Sequence, residues 1–294
     1  MTTLTLNIDE LRQRKEQGTS IKDLAKEAGV SWQKLWGMLT VAPQPSSTSP
    51  RPVEEIPQEA RHVTPVLQVN AAAGDLVDKY RPQTLAGIWG QDRVVTVLRK
   101  FAASPTSTPF LFEGESGTGK TSAALALAAE LGCDITQGEF GGVYQIASGE
   151  QTADTVRKVA ETLHNFPFYG SGWKVLIVNE ADRMSLPAET IWLDRLEHLP
   201  PQTVVIFTTN YASRLPGRML DRCRRVKFSH KASKLRSAAE SYSAAIWKSE
   251  TGQEPTAEQV EAIVAKSVWS EEISLRRVVR EIANVLDGGT EGDE

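Results

Sequence analysis

Cysteine, histidine and long apolar runs are what this 294-residue chain has least of. Two cysteines, Cys133 and Cys223, cannot build a disulfide framework or a zinc module. The four histidines, His62, His164, His198 and His230, share no metal-ligand spacing. No apolar run approaches the length of a bilayer-spanning helix, and the opening "MTTLTLNIDELRQRKEQ" has no apolar signal core. An excess of one charge is missing too: 33 Lys and Arg face 37 Asp and Glu, a net charge of −4. Bulk charge therefore announces no nucleic-acid binder, and any such surface has to be a local patch. These absences leave a soluble, cytoplasmic protein without a membrane partner as the expectation. What is present is 40% hydrophobic residues, enough for a sizeable core, in a length that suits two domains and a small appendage.

Three compositions follow one another. Residues 1–42 read as short helices. The stretch "PQPSSTSPRPVEEIPQEARHVTP" then places six of the 15 prolines between Pro43 and Pro65. Proline lacks a backbone donor and has a fixed φ, so residues 43–75 read as a semi-extended linker. Beyond it, "TPFLFEG", "WKVLIVNE" and "QTVVIFTTN" are short apolar runs. Helical stretches such as "KTSAALALAAELG" and "TADTVRKVAETLHNF" separate them. Buried strands alternating with helices mean a parallel sheet, expected over residues 76–230. From Lys231 the pattern reads as helical only, giving a small helical domain over 231–287 and an acidic tail over 288–294. No internal repeat is present.

Within "FEGESGTGKTS", Gly114 is followed after four residues by Gly119, Lys120 and Thr121, the spacing of a P-loop. A strand-like run precedes it and an alanine-rich helical run follows, which is the setting the motif needs. Glycines let backbone N–H groups turn toward phosphates, and a helix N-terminus favours the same negative charge. Lys120 would reach the β- and γ-phosphates, and Thr121 would ligate Mg²⁺. Gly114, Glu115, Ser116, Gly117, Thr118, Gly119, Lys120, Thr121 and Ser122 are the expected nucleotide-binding run, with ATP and Mg²⁺ as ligands.

Further short motifs carry a resemblance. "DKYRPQTLAGIWGQ" resembles the opening of the AAA+ module in sliding-clamp loaders, the family of replication factor C and its bacterial and phage relatives. The resemblance implies that this segment, with Tyr80, Arg81 and Pro82, wraps the adenine. "YQIASGEQTADTVR" is similar to the family's strand and turn before the next helix. "FTTN" puts Asn210 at the sensor 1 position. "LDRCRRVKF" resembles the family's Ser-Arg-Cys segment, with Asp221 in place of the serine. It makes Arg222 the implied arginine finger, reaching a neighbouring subunit's nucleotide. "SLRRVV" resembles the sensor 2 helix, with Arg276 implied and Arg277 its stand-in. Alone, either arginine reads equally as a solvated helix face or a surface ion pair, and Cys223 as packing. The resemblance spans residues 76–287. The expected fold class is α/β: an AAA+ P-loop domain with a parallel sheet and a helical lid, preceded by a small all-α helix-turn-helix module.

One position departs from the family. "KVLIVNEADRMS" ends its strand in Asn179 and Glu180, where the family has Asp-Glu. The resemblance makes Glu180 the group that polarises water, in a catalytic set with Lys120, Asn210, Arg222 and Arg276. An amide oxygen at Asn179 still accepts from a metal-bound water but brings no charge. Losing such a partner costs roughly 10- to 100-fold in metal affinity or activity. The expectation is a working but magnesium-demanding ATPase, with Thr121 and Asn179 at the metal and Asp182 weighed as a weaker source of charge. The alternative is a binding-only subunit.

"SIKDLAKEAGVSWQKLWGML", Ser20 to Leu39, has helix-turn-helix spacing. Leu24, Ala25, Val30 and Leu35 would form its core, Gly29 its turn and Ser31 the second helix's N-cap. Gln33 and Lys34 would face a major groove, and Arg157 is a further candidate DNA contact. Its charges nearly cancel and Trp32 and Trp36 are large, so docking on protein stays open beside DNA binding. Two functions follow. One is a clamp-loader-type ATPase in DNA replication, in a homo- or hetero-oligomer with DNA, a sliding clamp and a collar-bearing subunit. The other is a DNA-tethered AAA+ adaptor for replication initiation or mobile-element maintenance. A regulatory ATP-binding module is the blander version. That the chain stops at Glu294, just after the lid, weighs against the first.

Overall fold

Branched and aromatic apolar residues in runs of four to seven favour strands buried on both faces. In the computed structural model such runs form β1 (Thr108–Glu113), β2 (Val143–Ile146), β3 (Lys174–Val178) and β4 (Thr203–Thr209), while the edge strand β5 (Arg224–Lys227) buries only Val226. The structure describes residues 65–288, residue 72 excepted, together with residues 20, 24 and 26. The five strands are parallel in the order β2-β3-β4-β1-β5. Phe110 pairs with Ile206 on one side and Arg224 on the other, and Ile177 pairs with Ile206. Side chains alternate across the sheet, so two cores form. Phe110, Phe112, Val175, Ile177 and Ile206 pack with α2 (Asp92–Ala102) and α3 (Lys120–Glu130) through Leu98, Phe101, Ala123 and Leu127. Leu111, Leu176, Val178 and Phe207 pack on the other face with α4 (Ala153–Thr162) and α5 (Leu186–Arg195) through Val156 and Trp192. Thr152 and Ser185 cap these last two helices by accepting from Thr155 and Ala188 N–H groups.

A third core lies in the C-terminal helices, α7 (Ala232–Thr251), α8 (Ala257–Lys266) and α9 (Leu275–Leu286). Leu235, Ile246, Val264 and Val279 meet there with Tyr80, just after α1 (Leu76–Lys79), and Trp89. The short α6 (Gly217–Arg222) leads into β5. The all-helical expectation needs one correction here. Helix α8 ends at Lys266, where the Ser267 hydroxyl bonds back to the Ile263 carbonyl at 2.8 Å. Val268–Trp269 (β6) and Glu272–Ile273 (β7) then pair antiparallel across Ser270 and Glu271, both at positive φ. A two-residue turn of that hand matches strand twist, and no helical-period count detects it.

Contacts divide the chain into residues 1–60 and 61–294. In the first unit Leu24 and Lys26 are helical, Leu24 is fully buried, and its N–H donates to the Ser20 carbonyl at 3.1 Å. The expected turn at Gly29 and the candidate DNA contacts Gln33 and Lys34 lie outside the described residues. Among the described residues no helix is long and apolar enough to cross a membrane.

Candidate functional site

In a parallel sheet, ligand crevices open at the carboxyl ends of the strands. Here β1 runs out at Glu113 into the glycine loop, β3 into Asn179 and Glu180, and β4 into Asn210. Gly119 caps α3 with φ 93°, a left-handed value that glycine adopts without a Cβ penalty. It turns the chain so that Lys120 starts the helix beneath the loop. Lys120 is 8% exposed, and its ammonium donates to the Gly114 and Glu115 carbonyls at 2.7 and 2.9 Å and to Asn210 Oδ1 at 2.8 Å. Burial, with a smaller push from Arg276, lowers its pKa to about 8 against the pull of Glu115, Asp182 and Glu180. Three acceptors hold one cation where a phosphate would meet it.

The other strand ends complete this wall. Thr121 Oγ1 donates to Asn179 Oδ1 at 3.0 Å, so the hydroxyl and the amide expected at the metal are adjacent. Glu180 has φ 50°, a strained value for a residue with a side chain. Its N–H donates to Thr208 Oγ1 at 3.2 Å, and its carboxylate accepts from the Ser148 hydroxyl at 2.5 Å and pairs with Arg183 at 3.2 Å. Gln151, 2% exposed, ties the loop after β2 to the same strand end by donating to the Asn179 carbonyl.

Lys120, Thr121, Asn179, Glu180 and Asn210 share a cavity of 310 Å³ with Tyr80, Arg81, Pro82 and Arg276. Of the expected nucleotide-binding run, Ser116, Gly117, Gly119, Lys120, Thr121 and Ser122 line it; Gly114, Glu115 and Thr118 do not. The Thr118 hydroxyl instead donates within the loop, to Glu115 O at 2.8 Å. Arg222 lies away from the cavity, paired with Glu197 and donating to the Arg218 carbonyl at 3.0 Å. Arg277 is exposed and outside the lining, and Arg157 pairs with Asp154 at 2.9 Å on an exposed face. Asp182 is not brought to Asn179: it accepts from Thr209 and does not line the cavity. Cys133 and Cys223 are buried, which pushes both thiols up to about 12 and suits packing rather than chemistry.

The far end of the cavity holds residues that the motifs did not announce. Trp89 and Tyr242 line it, with ring centroids 5.3 Å apart and planes at 37°. Tyr242 Oη donates to the Tyr80 carbonyl at 2.9 Å, and Tyr80 Oη to Glu250 at 2.6 Å, which joins Lys79 at 2.7 Å. Burial, then the Glu250 bond, pushes Tyr80 up to about 12. Trp89 sat in the quoted "GIWGQ" without being singled out. Tyr242 lies over 150 residues away on α7 and carries no local signal. The start of α9 is close over the loop: a Cβ on Gly117, at φ 78°, would stand 2.1 Å from Ser274 Oγ.

A family described as DNA polymerase III, delta subunit matches residues 90–232. Replication factor C subunit 3 of Saccharomyces cerevisiae is 34% identical over 154 residues, 52% of this chain and 44% of that protein. The replication factor C small subunit of Archaeoglobus fulgidus is 33% identical over 153 residues, 52% and 47% of the two chains. Over this stretch the chain is similar to clamp-loader subunits. The chain spans about half the length of the clamp-loader relatives it matches. The RuvB Holliday junction branch migration motor of Thermotoga maritima shares the fold, with a TM-score of 0.54, 18% identity, and coverage of 72% of this chain and 66% of that one. The sheet order and the helices on both faces are thus those of an AAA+ module.

Proposed function

We propose that this chain binds ATP with Mg²⁺, hydrolyses it, and acts in DNA replication as a clamp-loader-type subunit. One observation carries the reading: Lys120 joins the glycine loop to Asn210, in the same cavity as Glu180 at the end of β3. In that arrangement Lys120 and the loop N–H groups hold the phosphates. Asn210 faces the terminal phosphate, Glu180 orients the attacking water, and Arg276 approaches the nucleotide from the lid. Tyr80, Arg81 and Pro82 hold the base end with Trp89 and Tyr242.

The donor set fits Mg²⁺. Thr121 and Asn179 are hard oxygen donors, and magnesium keeps several waters and leans on substrate phosphates. Among the described residues no group of three His, Cys, Asp or Glu side chains forms a metal cage, so the ion would arrive on the nucleotide. Held there by Thr121 and Asn179, it would supply positive charge to neutralise the phosphates. Arg222 would act on a neighbouring subunit, once released from Glu197. DNA, a sliding clamp and a collar-bearing subunit are the proposed partners, by analogy with the named relatives.

A second reading rests on Asn179: a subunit that binds ATP without turning it over. One experiment separates the two. ATP affinity and turnover are measured for the wild-type chain, Lys120→Ala and Glu180→Gln. Gel filtration with ATP follows, with and without a sliding clamp and primed DNA. Binding lost in Lys120→Ala, with turnover lost but binding kept in Glu180→Gln, supports the ATPase. Tight binding with no wild-type turnover in any mixture supports the binding-only subunit. Wild-type affinity in Lys120→Ala removes the site altogether.

A further inference from the structure

Asp182 is a buried carboxylate that the proposed chemistry does not use. Its side chain is 5% exposed, in the short turn Ala181–Arg183 after β3. A carboxylate so placed needs partners, because burying an unpaired charge is costly. Arg214 is its cationic neighbour, at 3.9 Å, and that guanidinium instead stacks on the Tyr211 ring, 4.2 Å from its centroid. The short contact goes elsewhere. Thr209 Oγ1 donates to Asp182 Oδ1 at 2.5 Å. Thr209 is 1% exposed, at the last position of β4.

A hydroxyl has one proton to give and two lone pairs. With its proton committed to Asp182, the Thr209 oxygen accepts from the Tyr211 N–H at 3.0 Å. The two backbone units that bracket Asn210 are therefore held by one side chain, whose direction Asp182 sets. Asn210 Oδ1 in turn accepts from Lys120 at 2.8 Å. One residue earlier, Thr208 Oγ1 accepts from the Glu180 N–H at 3.2 Å. Two adjacent side chains of β4 thus lace its end to the turn that carries Glu180 and Asp182. Asp182 also contributes to the field that keeps Lys120 charged.

We propose that Asp182, acting through Thr209, is a positioning residue that sets the Asn210 amide against Lys120 and Glu180. The effect on turnover rests on the ATPase reading above; the effect on the Asn210 side chain does not. Asp182→Asn lets either face of an amide meet Thr209, so the hydroxyl loses its fixed direction. Thr209→Val removes the hydroxyl at nearly constant volume, and Thr209→Ser keeps it.

The test compares these three variants and the double variant Asp182→Asn/Thr209→Val with the wild-type chain. Readouts are kcat, KM, ADP affinity, melting temperature, and the side-chain amide resonance of Asn210, assigned by its loss in Asn210→Asp. Mispositioning by about 1 Å costs up to ~100-fold in rate, so a smaller shift should lower kcat about tenfold in Asp182→Asn and Thr209→Val. ADP affinity should stay within about twofold, the double variant should be no worse than either single, and Thr209→Ser should recover the rate. The Asn210 resonance should move in the first two variants and return in Thr209→Ser. Wild-type kcat with an unmoved resonance overturns the proposal. So does a fall of kcat, ADP affinity and melting temperature together with no recovery in Thr209→Ser, which marks a merely structural pair. If the wild-type chain shows no turnover, the ATPase reading fails by itself. The resonance then decides, displaced in Thr209→Val and restored in Thr209→Ser for the proposal, unmoved against it.

Discussion

At one end of the cavity, Lys120, Asn179, Glu180 and Asn210 each lie within two residues of a strand or at the first position of a helix. Lys120 opens α3, Asn179 and Glu180 follow β3, and Asn210 follows β4. Hydrogen bonds of 2.7 to 3.0 Å tie Lys120 and Thr121 to the strand ends and the loop. At the other end no strand contributes. Tyr80, Trp89, Tyr242 and Val279 come from the segment before the sheet and from helices α7 and α9, and they meet through apolar packing. The first end is preorganised by the backbone, the second by packing of the C-terminal helices on the segment before the sheet. Charge recognition should therefore survive loosening of the lid, and grip on the base should not.

The strongest way to break this contrast is Lys120→Ala. Removing one partner of a buried charge contact costs about 2–5 kcal/mol, so nucleotide affinity should drop roughly 100-fold with the fold intact by circular dichroism. A loss under threefold by calorimetry would mean that the phosphate end does not bind phosphate.

Asn179→Asp sharpens the same end. A carboxylate beside Thr121 should lower the Mg²⁺ concentration for half-maximal turnover by roughly tenfold or more. A magnesium titration checks this, and an unchanged midpoint would show that the amide already serves as well as an acid.

The third test is pH. Lys120 sits at about 8 in the free protein against an ordinary 10.5, and bound phosphate favours its charged form. Affinity should be flat below pH 8 and fall above it, by at most about tenfold per unit. The trend should vanish in Lys120→Ala. Folding has the opposite sign. The folded pKa lies below the unfolded one, so the unfolded chain holds more protons between pH 8 and 10.5. The contribution is fully present above 10.5 and is lost as pH falls to 8.

The smallest effect belongs to the base end. Tyr242→Phe keeps the ring and leaves the Tyr80 carbonyl without its donor, a cost of about 1–3 kcal/mol shared between lid docking and nucleotide grip. Nucleotide affinity should fall about fivefold while phosphate-only ligands bind unchanged. Equal losses for both ligands would show that the two ends do not act separately.

Legibility followed the same division. Gly114 to Thr121 could be read because a P-loop is one continuous stretch whose spacing is its geometry. Strands β1, β3 and β4 could be read because runs such as "VLIV" and "VVIF" are buried on both faces, whereas β5, with Arg224, Arg225 and Lys227 exposed, carries no such run. The hairpin at Val268–Ile273 was missed because four residues of strand fall below any period count. Asp182 was weighed as a charge for the metal because sequence distance from Asn179 is short. The turn after β3 instead points it at Thr209, a partner 27 residues on.

The sequence was enough for the phosphate loop, and the family resemblance supplied Glu180 and Asn210 at the strand ends and the exchange of an acid for Asn179. The loop is local, since backbone geometry and residue type within a few positions suffice for it. Only the tertiary structure decided which carboxylate meets which hydroxyl, that Trp89 and Tyr242 close the far end of the cavity, and that Ser274 stands over Gly117. Those contacts join residues far apart in the chain, and packing of whole elements, not the pattern within any one of them, brings them together.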